Sequence, residues 1–297
     1  MNNYFVCEDI SSAVCSTNHK LDSIVGEIKK SNIKPYFIYA YAVFESTITE
    51  IIRYYLKAFP YKIDNNITVN KEVLINKSRT KDVLSVMIEQ NIRRYSCKPL
   101  YEYLQFFLSI QDIEVLLEEK KIKSFSNIRN SIVHDDIKNT LIEKHKNCLD
   151  KKECEKTLQE CKEYIRYVKD FFVRYEMCMR KKYSDYTLDR IARTIWNNTF
   201  STPLLYFDEI WEYQNKKYLR IKDVKDLRKR VKSLSSSESL MLRFFLQQYS
   251  IEIDSYICDK SRIAAIRGLD TESKNKLIKL IDFFEDYPVI FCGEHIE

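Results

Sequence analysis

Residues 150–182 read DKKECEKTLQECKEYIRYVKDFFVRYEMCMRKK, and their apolar positions Cys154, Leu158, Cys161, Ile165, Val168, Phe172, Tyr175 and Met179 alternate steps of four and three. Because 3.6 residues complete a helical turn, that spacing keeps one stripe on one side of a helix. The stretch predicts a long helix lying at a shallow angle along a neighbour. The neighbour is expected within the same chain rather than in an intermolecular coiled coil.

Helical periodicity extends outward from there. Phe37, Tyr41, Phe44, Ile48, Ile51, Ile52, Tyr55 and Phe59 follow the same repeat until Pro60 closes it, predicting a helix over 36–58. A loop with a short element is expected over 60–79, then helices at 80–94 and 99–119 and another from Ser124. The seam stops at the polar stretch Lys181 to Asp185. The division expected is therefore an N-terminal antiparallel bundle over 1–184 and a smaller helical domain over 185–297, an all-α protein. In the second part, helices are predicted at 186–198, 203–214, 221–233, 237–249 and 271–286, with Asp185, Ser236 and Asp270 as N-caps. Trp196, Phe200, Tyr206, Phe207 and Trp211 are read as its core.

Composition excludes several classes. Of 297 residues only 3 are Gly, where ordinary usage gives about 20. Gly26, Gly268 and Gly293 are far apart, so neither a dinucleotide-binding nor a Walker-type phosphate loop fits, and tight hairpins are disfavoured. Apolar residues make 45% of the chain, enough for a packed core. The longest uncharged apolar run near the start, Phe37 to Phe44, is far short of the roughly 20 residues that span a bilayer. With no signal peptide ahead of it, a cytoplasmic protein without membrane contact is expected. Nine cysteines contain no C-x-x-C and are read as reduced and mostly buried. His145, Cys148, Cys154 and Cys161 lack the converging turns zinc prefers, so no metal and no cofactor are expected. The net charge of +6 falls in residues 1–184, with 31 basic against 25 acidic residues, while 185–297 balance 18 against 18. That allows nucleic-acid binding without demanding it.

One segment carries chemistry: Ser126-Asn127-Ile128-Arg129-Asn130-Ser131-Ile132-Val133-His134-Asp135-Asp136, of the form R-N-x-x-x-H. On a helix, Phe125, Ile128 and Ile132 form an apolar stripe, while Asn127, Asn130 and His134 share the opposite face. Arg129 and His134 then lie about 140° apart around the axis and about 7.5 Å along it. Two such helices crossing at a two-fold axis would let each Arg approach the other chain's His.

This segment resembles the R-x4-H motif of HEPN domains, and the helix carrying Ala42-Val43-Phe44-Glu45 resembles the long first helix of that bundle. The likeness covers about residues 20–180. It implies a metal-independent endoribonuclease, acting as a homodimer on single-stranded RNA, of the kind found in toxin–antitoxin and abortive-infection systems, with an antitoxin or regulatory protein as a further partner. Arg129 would stabilise phosphoryl charge, His134 would move the proton of the 2′-hydroxyl or of the leaving oxygen, and Asn130 would orient either. By the same likeness Glu45, at the margin of its helix's apolar face, would hold Arg129 or His134. Arg93, Arg94, Lys120, Lys121 and Lys123 precede the motif and are candidate RNA contacts. The chain departs from the family at Asp135 and Asp136, where a small residue is common, and at Ile137, where small partnered toxins carry a modifiable Tyr. The basic helix expected at Ile221 to Leu234, with Lys222, Lys225, Lys229 and Lys232 on one face, is read as a solvated surface. The alternative function is a catalytically inactive helical adaptor that uses its C-terminal domain to bind a partner.

Overall fold

The structure is a computed structural model describing residues 5–29, 32–69, 80–141, 151–214, 218–248 and 268–287, with the side chains of 80–82, 134–141, 151–154, 213–214, 218 and 247–248 outside the description. About 80% of it is helical, in eleven helices among the described residues, so the all-α expectation holds. The chain divides into two compact units, Asn3–Thr187 and Leu188–Glu297 with Met1–Asn2.

In the first unit the helices are α1 (Cys7–Glu27), α2 (Ile33–Ala58), α3 (Thr80–Ser96), α4 (Leu100–Ile110), α5 (Glu119–Leu141) and α6 (Lys151–Lys182). The 3-4 seam of α6 is its buried face: Cys161, Val168, Phe172, Tyr175 and Met179 are sealed from solvent, joined by Tyr164 and Phe171. They pack within the chain, as the seam implied. Phe44 of α2 sets its ring edge-on to Phe171 and Phe172, at 5.5 and 5.4 Å between centroids. Each aromatic fully buried this way stabilises the unit by roughly 1.5–3 kcal/mol.

Helix α1 has no counterpart in the sequence expectations. Its buried residues Cys7, Ile10, Val14, Thr17, Leu21 and Ile24 repeat the same three-and-four rhythm. It lies antiparallel to α6: Ser11 Oγ donates to Glu176 at 2.6 Å, and eleven residues later Asp22 pairs with Lys169, seven residues before Glu176. The buried Thr17 hydroxyl meets that of Thr47 on α2 at 2.6 Å, so a polar position in the stripe is satisfied across the interface.

The helix expected over 99–119 ends at Ile110. There the fully buried Gln111 turns inward: its Nε2 donates to the Phe107 carbonyl at 2.9 Å and its Oε1 accepts from Tyr175 at 2.6 Å. Asp112 follows at φ 49°, a left-handed conformation that a short polar side chain tolerates, with its carboxylate 2.8 Å from Lys62 Nζ. Residues 113–118 then run without helix, and their apolar side chains had mimicked a continuing stripe.

The second unit contains α7 (Leu188–Thr199), α8 (Phe207–Ile210), a hairpin of β1 (Trp211–Gln214) and β2 (Tyr218–Ile221), then α9 (Val224–Val231), α10 (Ser236–Gln248) and α11 (Thr271–Asp286). The hairpin corrects two expectations, since the helix predicted over 203–214 breaks at Ile210 and Ile221 belongs to β2. The strands pair antiparallel, Trp211 with Ile221 through Gln214 with Tyr218. Three residues connect them, so the glycine demand of two-residue turns does not apply. Trp196, sealed from solvent, anchors this core and meets Trp211 edge-on at 5.2 Å; of the aromatics expected inside, Tyr206 is instead 44% exposed.

Caps are also corrected. Asp185 sits within the 3-10 turn Ser184–Tyr186, ahead of α7. Ser235 rather than Ser236 caps α10: it accepts from the Glu238 amide at 3.3 Å and donates to that carboxylate at 2.8 Å, a close relative of the capping box. Asp270 caps α11 as expected, accepting from the Ser273 amide.

Two buried tyrosines in α6 offer a test. Among the described residues the Tyr164 hydroxyl has no hydrogen-bond partner, whereas that of Tyr175 satisfies Gln111. Tyr175→Phe is expected to cost about 1–3 kcal/mol by orphaning a buried amide oxygen, and Tyr164→Phe less than about 1 kcal/mol. Urea unfolding of both variants checks this; equal losses would contradict it.

Candidate functional site

Helix α5 is held by the stripe the sequence indicated. Ile122, Phe125 and Ile132 are buried and Ile128 partly so, and Phe125 contacts Tyr164 and Tyr167 of α6 at 5.0 and 5.7 Å. Asn127 and Asn130 are exposed on the other side. A polar contact fixes the register against α2, where the Tyr41 hydroxyl lies 3.0 Å from Ser126 Oγ. Ser126 donates its proton to the Ile122 carbonyl at 3.1 Å, so Tyr41 is the donor between them.

One turn after Ser126, the half-buried Arg129 places its guanidinium carbon 5.6 Å from the centre of the Tyr41 ring, a cation–π contact. Its Nη1 donates to Asn130 Oδ1 at 3.0 Å. Glu45, one turn after Tyr41 on α2, is half-buried beside Arg129 without a direct ion pair. Burial pushes the Glu45 carboxyl above the ordinary glutamate range, and the positive charge of Arg129 partly restores its acidity. The structure thus joins Glu45, Arg129 and Asn130. His134 lies five residues further along the same helix, and its side chain, with those of Asp135 and Asp136, falls outside the description.

Glu45 belongs to a row at steps of four on α2: Tyr41, Glu45, Thr49 and Arg53. The Thr49 hydroxyl is 2.8 Å from that of Tyr103 on α4, whose phenol burial pushes up to about 12. Arg53 grips Glu89 of α3 with two nitrogens, at 2.5 and 2.9 Å. Sequence reasoning passed over Tyr41 because an aromatic on an apolar stripe reads as core. Its spacing of four from Glu45 was the available signal.

The candidate RNA contacts are partly neutralised. Arg94 pairs with Asp64 at 3.0 Å, Lys121 with Glu118 at 3.7 Å and Lys123 with Glu119 at 2.6 Å. Arg93 and Lys120 are exposed. The basic helix expected over Ile221 to Leu234 is shorter, α9 holding Lys225 and Lys229 while Lys222 precedes it and Lys232 follows it; all four lysines are exposed, and Leu227 and Val231 are buried. Among the described residues no three or more His, Cys, Asp or Glu are grouped to hold a metal, and no helix is long and apolar enough to cross a membrane. Cys161 is buried, its thiol pushed up to about 12, while His145, Cys148 and the Cys154 side chain lie outside the description.

A pH dependence follows from Glu45. Its folded-state pKa is raised, so the fold disfavours the carboxylate. The penalty is absent below the unfolded value, near 4.5, grows as pH rises through the folded value, and is complete above it. Glu45→Gln is therefore expected to raise the melting temperature at pH 7 and to leave it unchanged near pH 4. A lower melting temperature at pH 7 would show instead that Arg129 more than offsets the burial. Comparison with protein-family models, curated proteins and solved structures finds no match to this chain.

Proposed function

We propose that the protein is a HEPN-type, metal-independent endoribonuclease that cleaves single-stranded RNA at a site shared by two copies of the chain, acting as a toxin or antiviral effector in the cytoplasm. The observation that carries this reading is the lodging of Arg129: a planar cation resting on an aromatic ring at the solvent margin of α5, on the helix that also bears Asn130 and His134. An arginine presented this way offers its fork to phosphate oxygens with little left to reorganise.

RNA brings its own nucleophile. The 2′-oxygen attacks phosphorus, one neutral His134 imidazole accepts the 2′-hydroxyl proton, and the 5′-oxygen leaves with a proton from the second copy's His134, which starts as the imidazolium. A 2′,3′-cyclic phosphate and a 5′-hydroxyl result. Arg129 offsets the charge that gathers on the equatorial oxygens in the transition state. Glu45 lies beside Arg129, whose charge favours its carboxylate against the effect of burial, without locking the guanidinium into an ion pair.

The test is incubation of the pure protein with labelled single-stranded RNA in EDTA. Cleavage is expected, and His134→Ala and Arg129→Ala are each expected to lower its rate about a hundredfold or more with helical content unchanged. Intact RNA, or undiminished cleavage by either variant, would overturn the proposal.

A further inference from the structure

We propose that Tyr41 is the positioning residue for Arg129, a role that rests on the ribonuclease reading of Arg129. Tyr41 is only 5% exposed, and three contacts account for its fixed place. Its ring stacks on that of the fully buried Tyr164, 5.6 Å between centroids and 15° between planes. Its hydroxyl donates to Ser126, one turn before Arg129 on the same helix. Its ring lies beneath the Arg129 guanidinium. One side chain therefore sets both the position of α5 against α2 and the resting place of the cation that α5 carries.

An exposed arginine samples many rotamers, and a transition state is stabilised only by charge already in place. Asn130 alone is a poor anchor, because it is exposed and adjacent in sequence. The aromatic plate is the contact tied to the core. It holds the guanidinium, whose carbon lies 5.6 Å from the ring centre, without taking its N–H groups as hydrogen-bond donors. Among the described residues Nη1 is engaged by Asn130, which leaves donors for phosphate. The ring carries this role, while the hydroxyl serves the helix contact.

Two substitutions separate the ring from the hydroxyl. Tyr41→Phe keeps the plate, and its kcat is expected to stay within about threefold of wild type. Tyr41→Leu removes the plate, and kcat is expected to fall about tenfold or more with KM within about twofold, the scale of a lost cation–π contact. A second measurement needs no RNA: the Arg129 Nε–H resonance is expected to be shifted upfield by the Tyr41 ring current in wild type and Tyr41→Phe. That shift should vanish in Tyr41→Leu. An unshifted wild-type resonance, or full activity of Tyr41→Leu, overturns the assignment, and the wild-type spectrum decides even if the leucine variant fails to fold. A shifted resonance in a protein that cuts no RNA sustains the contact and overturns the ribonuclease reading instead.

Discussion

The Tyr41 ring, stacked on Tyr164 and carrying the Arg129 guanidinium, is the constraint on which the candidate site depends. Apolar packing alone holds α5 loosely in rotation, because Ile122, Phe125 and Ile132 define a stripe rather than an angle. The contact of the Tyr41 ring with Arg129 and the 3.0 Å hydrogen bond from Tyr41 to Ser126 together narrow that freedom. One turn after Ser126, Arg129 lies over the Tyr41 ring and beside Glu45. The surface chemistry is thus an extension of the core, since Tyr41 rests on Tyr164, and Tyr164 is sealed within the α6 seam.

The row Tyr41, Glu45, Thr49 and Arg53 explains how one helix serves several neighbours. Apolar residues on α2 fill the bundle, while this row, at the edge of that face, meets α5, α4 and α3 in turn through polar contacts. Glu45 is the member with no hydrogen bond to its carboxylate among the described residues, and burial disfavours its charge. Such a group, retained at a cost to stability, is common where chemistry is done. Its neighbour Thr49, equally placed but satisfied by Tyr103, has the ordinary structural arrangement.

Much of this was legible in the sequence because helices write their burial at a period of 3.6. The seam of α6, the extent of α2 and the polar face of α5 all follow from that rhythm. Helix α1 carries the same rhythm, but Cys7 and Thr17 dilute its apolar signal. The end of α4 was hidden because Ile113 to Leu117 continue an apolar pattern after a buried glutamine has already turned the chain. The hairpin was masked by a helical-looking spacing of aromatics, although Trp211 and Glu212, then Leu219, Arg220 and Ile221, alternate inside and outside as strands do. At the site, Arg129 and Asn130 stood out in the R-N-x-x-x-H segment, and Glu45 entered through the resemblance together with its place at the margin of its helix's apolar face. Tyr41 did neither, because packing and positioning use the same aromatic face, and only coordinates show what lies on it.

The most direct measurement compares RNA with the same oligonucleotide carrying a 2′-O-methyl group at the scissile nucleotide, with product ends read by mass. An active site built from Arg129 and His134 alone uses the substrate's own hydroxyl, so the account expects 2′,3′-cyclic phosphate ends from RNA and no cut at the blocked position. Cleavage at the methylated nucleotide, or 5′-phosphate ends, would mean that water is the nucleophile and would contradict it.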